Sequence, residues 1–120
     1  MKVIKIDEVK EEERMTPLFT GPVSSQPIIT NQTSKQFIIN QVNFRKGVKN
    51  KLHSHTSEQV LIVTKGRGTV GTENEQVNVG PGALVIFSAG EKHWHGAMKG
   101  FTFSHITLTS QDSKTTQFEQ

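Results

Sequence analysis

The chain has 120 residues, with 14 Lys and Arg against 11 Asp and Glu, and it contains no Cys. This length suits one domain and is too short for two ordinary ones. The absence of Cys excludes a disulfide scaffold, a thiol nucleophile and a cysteine-bound zinc or iron–sulfur centre. The net charge of +3 comes without a basic stripe interleaved with aromatic residues, which argues against a nucleic-acid partner.

The N-terminal residues 1–14 alternate Lys with Glu and lack a long apolar stretch, so they predict no secretory signal. The longest unbroken apolar run, 83–87, is far shorter than the roughly 20 residues that cross a bilayer. These features, together with the missing Cys, indicate a cytoplasmic protein without a membrane partner.

Short apolar runs of strand length follow one another along the chain, separated by turns rich in Gly, Pro and Asn. The one helix candidate, 7–14, has a single apolar residue and is expected to be a solvated turn. The spacing favours an all-β sandwich or barrel. The predicted strands are 3–6, 37–44, 59–64, 76–79, 84–87 and 101–108.

We expect one domain over 1–120, with its core at about 36–108. The N-terminal arm, 1–35, bears the first predicted strand. The polar C-terminal tail, 109–120, has few residues that could anchor it, so it is expected to be frayed or laid on a neighbouring protomer.

All five histidines lie between positions 53 and 105, as His53-Ser54-His55, His93-Trp94-His95 and His105 alone. Residues two apart on a strand point to the same face, so each His-x-His pair can aim two imidazoles into one cavity. Imidazole nitrogens suit first-row divalent metals. A single His-x-His pair is more often found on a protein surface or hydrogen-bonded in a core. The prediction of a metal site therefore depends on the clustering of the histidines.

The spacing around these pairs resembles the two motifs of the cupin superfamily. The first motif is matched by Gly47, His53, His55, Gln59 and Gly66, with Gln where the usual pattern has Glu. The second is matched by Gly82, Ser88, Gly90 and His93, with Ser88 in the usual place of Pro. The segments 18–21, 53–59 and 90–97 are most similar to small single-domain cupins that include manganese-dependent hydroxynitrile lyases and carboxymuconolactone decarboxylase-associated cupins.

The resemblance implies a double-stranded β-helix, the jelly-roll barrel of cupins, with a divalent transition metal in its mouth. The implied ligands are His53, His55, Gln59 and His93. Manganese is the expected metal, although imidazole and amide ligands also accept Fe, Ni, Co or Zn. The resemblance further places His95 and His105 next to the metal ligands.

Glu58 is the rival of Gln59, because carboxylate is the commoner oxygen ligand. Gln59 keeps the motif spacing to Gly66 and shares strand parity with His53 and His55, whereas Glu58 points to the opposite face. Neutral ligands leave the charge of a dipositive metal uncompensated, which favours Lewis-acid chemistry.

His105 shares a strand face with two aromatic residues, Phe101 and Phe103, and with Thr107. If this face lines the cavity, His105 and His95 are the candidate catalytic residues, with His105 as an acid or base near the substrate. The alternative is a buried histidine bonded to a backbone carbonyl. The predicted cavity is small and mainly apolar, and its predicted walls are Asn40, Val42, Phe44, Leu61, Phe103 and Thr107.

These features predict a metal-dependent enzyme acting on a small molecule, with hydroxynitrile-lyase-like carbon–carbon cleavage as the leading reaction. A metal-dependent dioxygenase and a non-catalytic small-ligand binder are the alternatives. Exposed strand edges and the resemblance predict a homodimer, with 3–6 pairing to the neighbouring protomer.

Overall fold

The computed structural model describes all 120 residues and contains eleven strands in two antiparallel sheets. A single 3₁₀ turn, Ile6–Glu8, precedes the first strand. The prediction of an all-β fold is confirmed. The strands are β1 (Glu12–Arg14), β2 (Val23–Ile29), β3 (Phe37–Phe44), β4 (His53–His55), β5 (Gln59–Gly66), β6 (Gly68–Thr72), β7 (Gln76–Val79), β8 (Leu84–Phe87), β9 (His93–Ala97), β10 (Phe103–Ser110) and β11 (Thr115–Gln117).

The two sheets divide the predicted site residues between them. The six-stranded sheet has the order β1-β2-β3-β10-β5-β8 and carries Gln59 on β5 and His105 on β10. The five-stranded sheet has the order β11-β4-β9-β6-β7 and carries both His-x-His pairs. The pairs therefore lie on neighbouring strands of one sheet, with His53 directly opposite His93.

The core lies between the sheets in two clusters. Phe103 and Leu61, which we expected to line the cavity, are both fully buried in these clusters. Both point inward as predicted, but they lie farther along their strands, where the sheets close on each other and leave no space. One cluster is Val23, Phe44, Val48, Val63, Ala97 and Phe103, and the other is Leu61, Val70 and Phe87.

The structure corrects the predicted N-terminal strand. Residues 3–6 form no strand, and the first strand is instead the charged segment Glu12–Arg14, which pairs with β2. A strand at the edge of a sheet tolerates exposed charged residues, so local apolar content is a poor guide here.

Two other strands escaped the sequence pattern because they contain residues that usually interrupt strands. β2 includes Pro27, which lies where the β2–β3 register shifts, a place that accepts a residue without an N–H. β6 includes Gly71, where a Cβ atom would come within 2.5 Å of the Trp94 ring. Trp94 packs against Gly71, on the strand face opposite the neighbouring histidines.

The C-terminal tail is ordered against its own domain, contrary to the expectation of a frayed end. β11 pairs with β4, the strand of His53 and His55. The Phe118 N–H donates to the Leu52 carbonyl at 2.8 Å, which extends this attachment. Backbone pairing fixes the tail without many apolar side chains. No helix in the structure has the length and apolar content to cross a bilayer.

Candidate metal centre

Three imidazoles meet where β4 and β9 pair. One ring nitrogen from each of His53, His55 and His93 lies within 4.8 Å of the other two. The ring centroids of His53 and His93 are 4.4 Å apart, and those of His53 and His55 are 4.9 Å apart. This convergence follows from strand geometry, because the two positions of β4 share a face and His53 is directly opposite His93.

Backbone carbonyls fix the protonation pattern of two of these rings. His53 Nδ1 lies 2.6 Å from the Lys51 carbonyl oxygen, and His93 Nδ1 lies 2.8 Å from that of Glu91. A carbonyl only accepts, so each Nδ1 carries the proton and each Nε2 presents a lone pair. Histidines that bind metals in proteins are commonly oriented in this way.

The three histidines are neutral at pH 7. Burial lowers the pKa of His53, His55 and His93 from 6.5 to about 4 in each case. Neighbouring imidazoles add to this effect, because a second positive charge in the cluster would be repelled. A metal needs neutral imidazole nitrogens, so the environment favours the form that binds a metal.

Gln59 completes the cluster from the opposite sheet. Its Oε1 lies 3.0 Å from His93 Nε2, while its amide nitrogen donates to Thr107 Oγ1 at 3.4 Å. Both Oε1 and the His93 Nε2 lone pair are acceptors, so no proton is available between them. A cation satisfies both, which means that the residues present fit a divalent metal. Glu58 is exposed, in agreement with the choice of Gln59 over it.

His95 lies beside this cluster, fully buried, and is held by Asn50. The Asn50 Oδ1 accepts the His95 backbone N–H at 2.7 Å, and Asn50 Nδ2 lies 3.2 Å from His95 Nε2. Burial, together with the nearby His105, keeps the pKa of His95 well below its usual value.

His105 differs from the other histidines, because neither of its buried ring nitrogens has a hydrogen-bond partner. Its ring packs edge-on against His95, with centroids 4.8 Å apart, and lies 5.7 Å from the Phe44 ring. Burial lowers the pKa of His105 to about 3, so its imidazole is neutral at pH 7. The backbone of Ile106 partly offsets this shift, so the alternative expected from the sequence, a ring bonded to a backbone carbonyl, is not contradicted.

The site opens into a cavity of about 180 Å³. Only four of its sixteen lining residues are hydrophobic, but apolar atoms contribute more of the lining surface than polar atoms do, in agreement with the predicted apolar character. Four of the six predicted wall residues lie in this lining, namely Asn40, Val42, Phe44 and Thr107. The full lining is Arg14, Leu18, Phe19, Asn40, Val42, Phe44, Asn50, His53, His55, Gln59, His95, His105, Thr107, Thr109, Ser113 and Thr115.

A sequence profile described as "Cupin domain" matches residues 40–102 of the chain, which include the whole histidine cluster except His105. The chain belongs to the cupin family. The resemblance seen in the two motifs is thus confirmed, and so is the jelly-roll barrel that it implied.

This cupin is 36% identical over 91 residues to a protein named (R)-mandelonitrile lyase from Granulicella tundricola. The match covers 75% of this cupin and 70% of the relative. A relative at this level of identity and coverage supports a shared family, and its reaction belongs to that protein.

Solved structures agree with the fold. A cupin-like protein from Thermotoga maritima superposes with a TM-score of 0.87 at 24% identity, over 95% of this cupin and 90% of that chain. A polyketide cyclase from Streptomyces resistomycificus superposes with a TM-score of 0.89 at 18% identity, over 100% of this cupin and 87% of that chain. At these identities the similarity concerns the fold alone.

Three residues of the cupin's site had no signal in the sequence motifs. Asn50 holds His95, and Thr115 Oγ1 lies 2.9 Å from His55 Nδ1. Arg14 lines the cavity from the N-terminal arm. All three are distant in sequence from the histidines that they accompany, so only the folded chain brings them together.

Proposed function

We propose that this cupin is a divalent-metal-dependent enzyme that cleaves a carbon–carbon bond in a small hydroxynitrile, with Mn²⁺ as its metal. The relative named (R)-mandelonitrile lyase supports the reaction class. The pairing of two acceptors, Gln59 Oε1 and His93 Nε2, at 3.0 Å is the observation that carries the proposal of a bound cation.

His53, His55, His93 and Gln59 would hold the metal, all as neutral ligands. When bound, a dipositive cation with such ligands supplies Lewis-acid polarisation of a substrate oxygen. No carboxylate lines the cavity, so the proton acceptor must be a histidine.

His105 is the proposed proton acceptor. Its neutral ring is buried at the wall of the cavity, and no side chain binds its ring nitrogens, so we assign to it the proton of a substrate hydroxyl. As the hydroxyl proton moves to His105, the oxygen electrons form the carbonyl and the bond to the nitrile carbon breaks. Cyanide leaves with that electron pair and takes up the proton, so the products are a carbonyl compound and HCN. Asn50 holds His95 next to His105, the residue that accepts the proton.

The direct test is cyanide release from mandelonitrile and from a small aliphatic cyanohydrin by protein loaded with Mn²⁺. We expect release that depends on the metal and falls at least about 100-fold in His105→Gln, since a positioned base contributes this much. Protein that binds Mn²⁺ stoichiometrically and releases no cyanide from either substrate would contradict the proposal. Oxygen uptake by the iron-loaded protein would assign a dioxygenase instead, and saturable ligand binding without turnover would assign a binder.

We also propose that the cupin is a homodimer. β8 ends the six-stranded sheet with a free edge, and its Leu84 and Ile86 side chains are 63% and 58% exposed. Ile62, directly opposite Leu84 on β5, extends this apolar surface. A second copy of the chain would cover both the edge and these side chains. Light scattering should give the mass of a dimer for the wild type and of a monomer for Leu84→Lys with Ile86→Lys.

A further inference from the structure

The cavity of the cupin has an unusual charge balance. Arg14 is the one Asp, Glu, Lys or Arg residue in its lining, and no carboxylate accompanies it. The metal ligands are neutral, so a bound dipositive cation and Arg14 would together place three positive charges around this small space. Such a field favours an anionic ligand.

Sheet register accounts for the position of Arg14. It lies opposite Val23 on β2, which in turn lies opposite Phe44 on β3. Directly opposite residues of neighbouring strands share a face, so Arg14 belongs to the same inward face as Phe44, a wall of the cavity. Glu12 shares this face two residues earlier, but it neither lines the cavity nor forms an ion pair with Arg14.

The hydrogen-bonding groups of Arg14 are mostly unused. Nη1 donates to Ser25 Oγ at 3.3 Å, and Ser25 is only 1% exposed. This contact fixes the guanidinium beside β2 and leaves its other N–H groups for a ligand. A guanidinium presents paired N–H groups that match the two oxygens of a carboxylate.

We propose that Arg14 determines the specificity of the cupin by binding the carboxylate of its substrate, which is therefore a small hydroxy or oxo compound that bears an acid group. The inference rests on the proposed function insofar as it takes this cavity to be the substrate site. The cavity volume is about 180 Å³, so the ligand is a small molecule.

The test compares acids with their amides, which have the same shape without the charge. Lactate, 3-hydroxypropionate and 4-hydroxybutyrate, each beside its amide, vary the separation of hydroxyl and carboxylate. Calorimetric titration into Mn²⁺-loaded wild type should give at least one acid that binds about tenfold more tightly than its amide. Arg14→Gln should lose this preference, and Arg14→Lys should retain part of it, because the charge remains without the paired N–H groups.

Glu12→Gln is the matched control, because it changes the charge of the same strand face without removing a lining residue. It should keep the preference of the wild type for the acid. Metal content and melting temperature should be equal in all variants, since Arg14 lies on an exposed edge strand. An acid preference that is the same in wild type and Arg14→Gln would overturn the proposal, because the cation alone would then account for it.

The two proposals fail in different ways. If no cyanohydrin is cleaved but acids bind in a manner that depends on Arg14, the lyase function is wrong and the anion site stands. If mandelonitrile is cleaved equally by wild type and Arg14→Gln and neither prefers an acid, the lyase function stands and the role of Arg14 is wrong.

Discussion

The histidine cluster of β4 and β9 lies beside the same cavity as the pair formed by His95 and His105. The ring nitrogens of the two groups differ in their hydrogen-bond partners. In the cluster, His53 and His93 each donate from Nδ1 to a backbone carbonyl, which aims the other nitrogen at a common point. In the pair, His95 is held by an asparagine side chain and His105 has no partner.

One residue type thus serves two purposes in this site. Rings that are fixed by the backbone cannot turn, and convergent fixed lone pairs suit a metal ion. A ring that is buried without a partner keeps its lone pair for a guest molecule. Such an unpaired polar group costs about 1–3 kcal/mol of stability, which is expected at a functional position.

Removing a fixed ring should have the largest effect. His93→Ala deletes a nitrogen that faces both His53 and Gln59, and we expect Mn²⁺ affinity to fall at least about 100-fold, because ligands matter more than the groups that orient them. Elemental analysis of the purified variant measures this loss. Glu58→Gln, a change at an exposed neighbour of the site, should leave metal content unaltered.

Acidification should destabilise the metal-free protein. Both groups of histidines have a lowered pKa in the folded state, about 4 for His53, His55 and His93 and about 3 for His105. Histidines in the unfolded chain titrate near 6.5, so the unfolded state binds more protons below this pH. The contribution of these neutral histidines to the free energy of unfolding is therefore fully present above pH 6.5 and is lost as the pH falls towards 4.

Thermal melts should give a Tm at least about 10 °C lower at pH 5 than at pH 7.5. His105→Gln removes one of the titrating groups and should reduce this slope. A Tm that stays constant over this range would contradict the assignment of buried neutral imidazoles.

Replacing the neutral amide of Gln59 by a carboxylate should change the affinity for the metal while leaving the three histidines in place. Gln59→Glu places a carboxylate next to His93 Nε2, and we expect Mn²⁺ to bind about tenfold more tightly because the cation gains an opposite charge. Cyanide release at saturating Mn²⁺ should fall, since the compensated cation is a weaker Lewis acid. Weaker metal binding in this variant would mean that residue 59 is not a ligand.

The smallest effect is expected from removing the side chain that holds His95. Asn50→Ala removes both contacts to His95 and should lower the rate of cyanide release roughly tenfold while Mn²⁺ content stays the same. NMR of the imidazole nitrogens should show a changed tautomer balance for His95 alone. Asn78→Ala, at an exposed asparagine bonded to Thr69, is the control and should change neither quantity.

Parts of the fold could be predicted from the sequence because they depend on local pattern. The strands Phe37–Phe44, Gln76–Val79 and Leu84–Phe87 match the predicted ranges, since β-branched and apolar residues between turns favour extended chain. Strand β2 was missed because Pro27 interrupts the pattern and is tolerated only at the register shift. Strand β11 was missed because its stability comes from pairing with β4.

Strand parity explains both the success and the errors at the site. Parity grouped His53 with His55 and separated Gln59 from Glu58, and both predictions agree with the structure. Parity also placed Leu61 and Phe103 in the cavity wall, where it failed. Parity identifies the face of a strand that points between the sheets. It does not tell whether a residue on that face lines the cavity or lies in the packed core.

The β architecture and the set of imidazoles that share a face could be predicted from the sequence, because both follow from spacing along the chain. The packing of the sheets, by contrast, brings Asn50 and Thr115 to the histidines and makes Arg14 the charged residue in the cavity wall. These contacts join segments up to 60 residues apart. Their formation depends on how two twisted sheets pack, which no local pattern records.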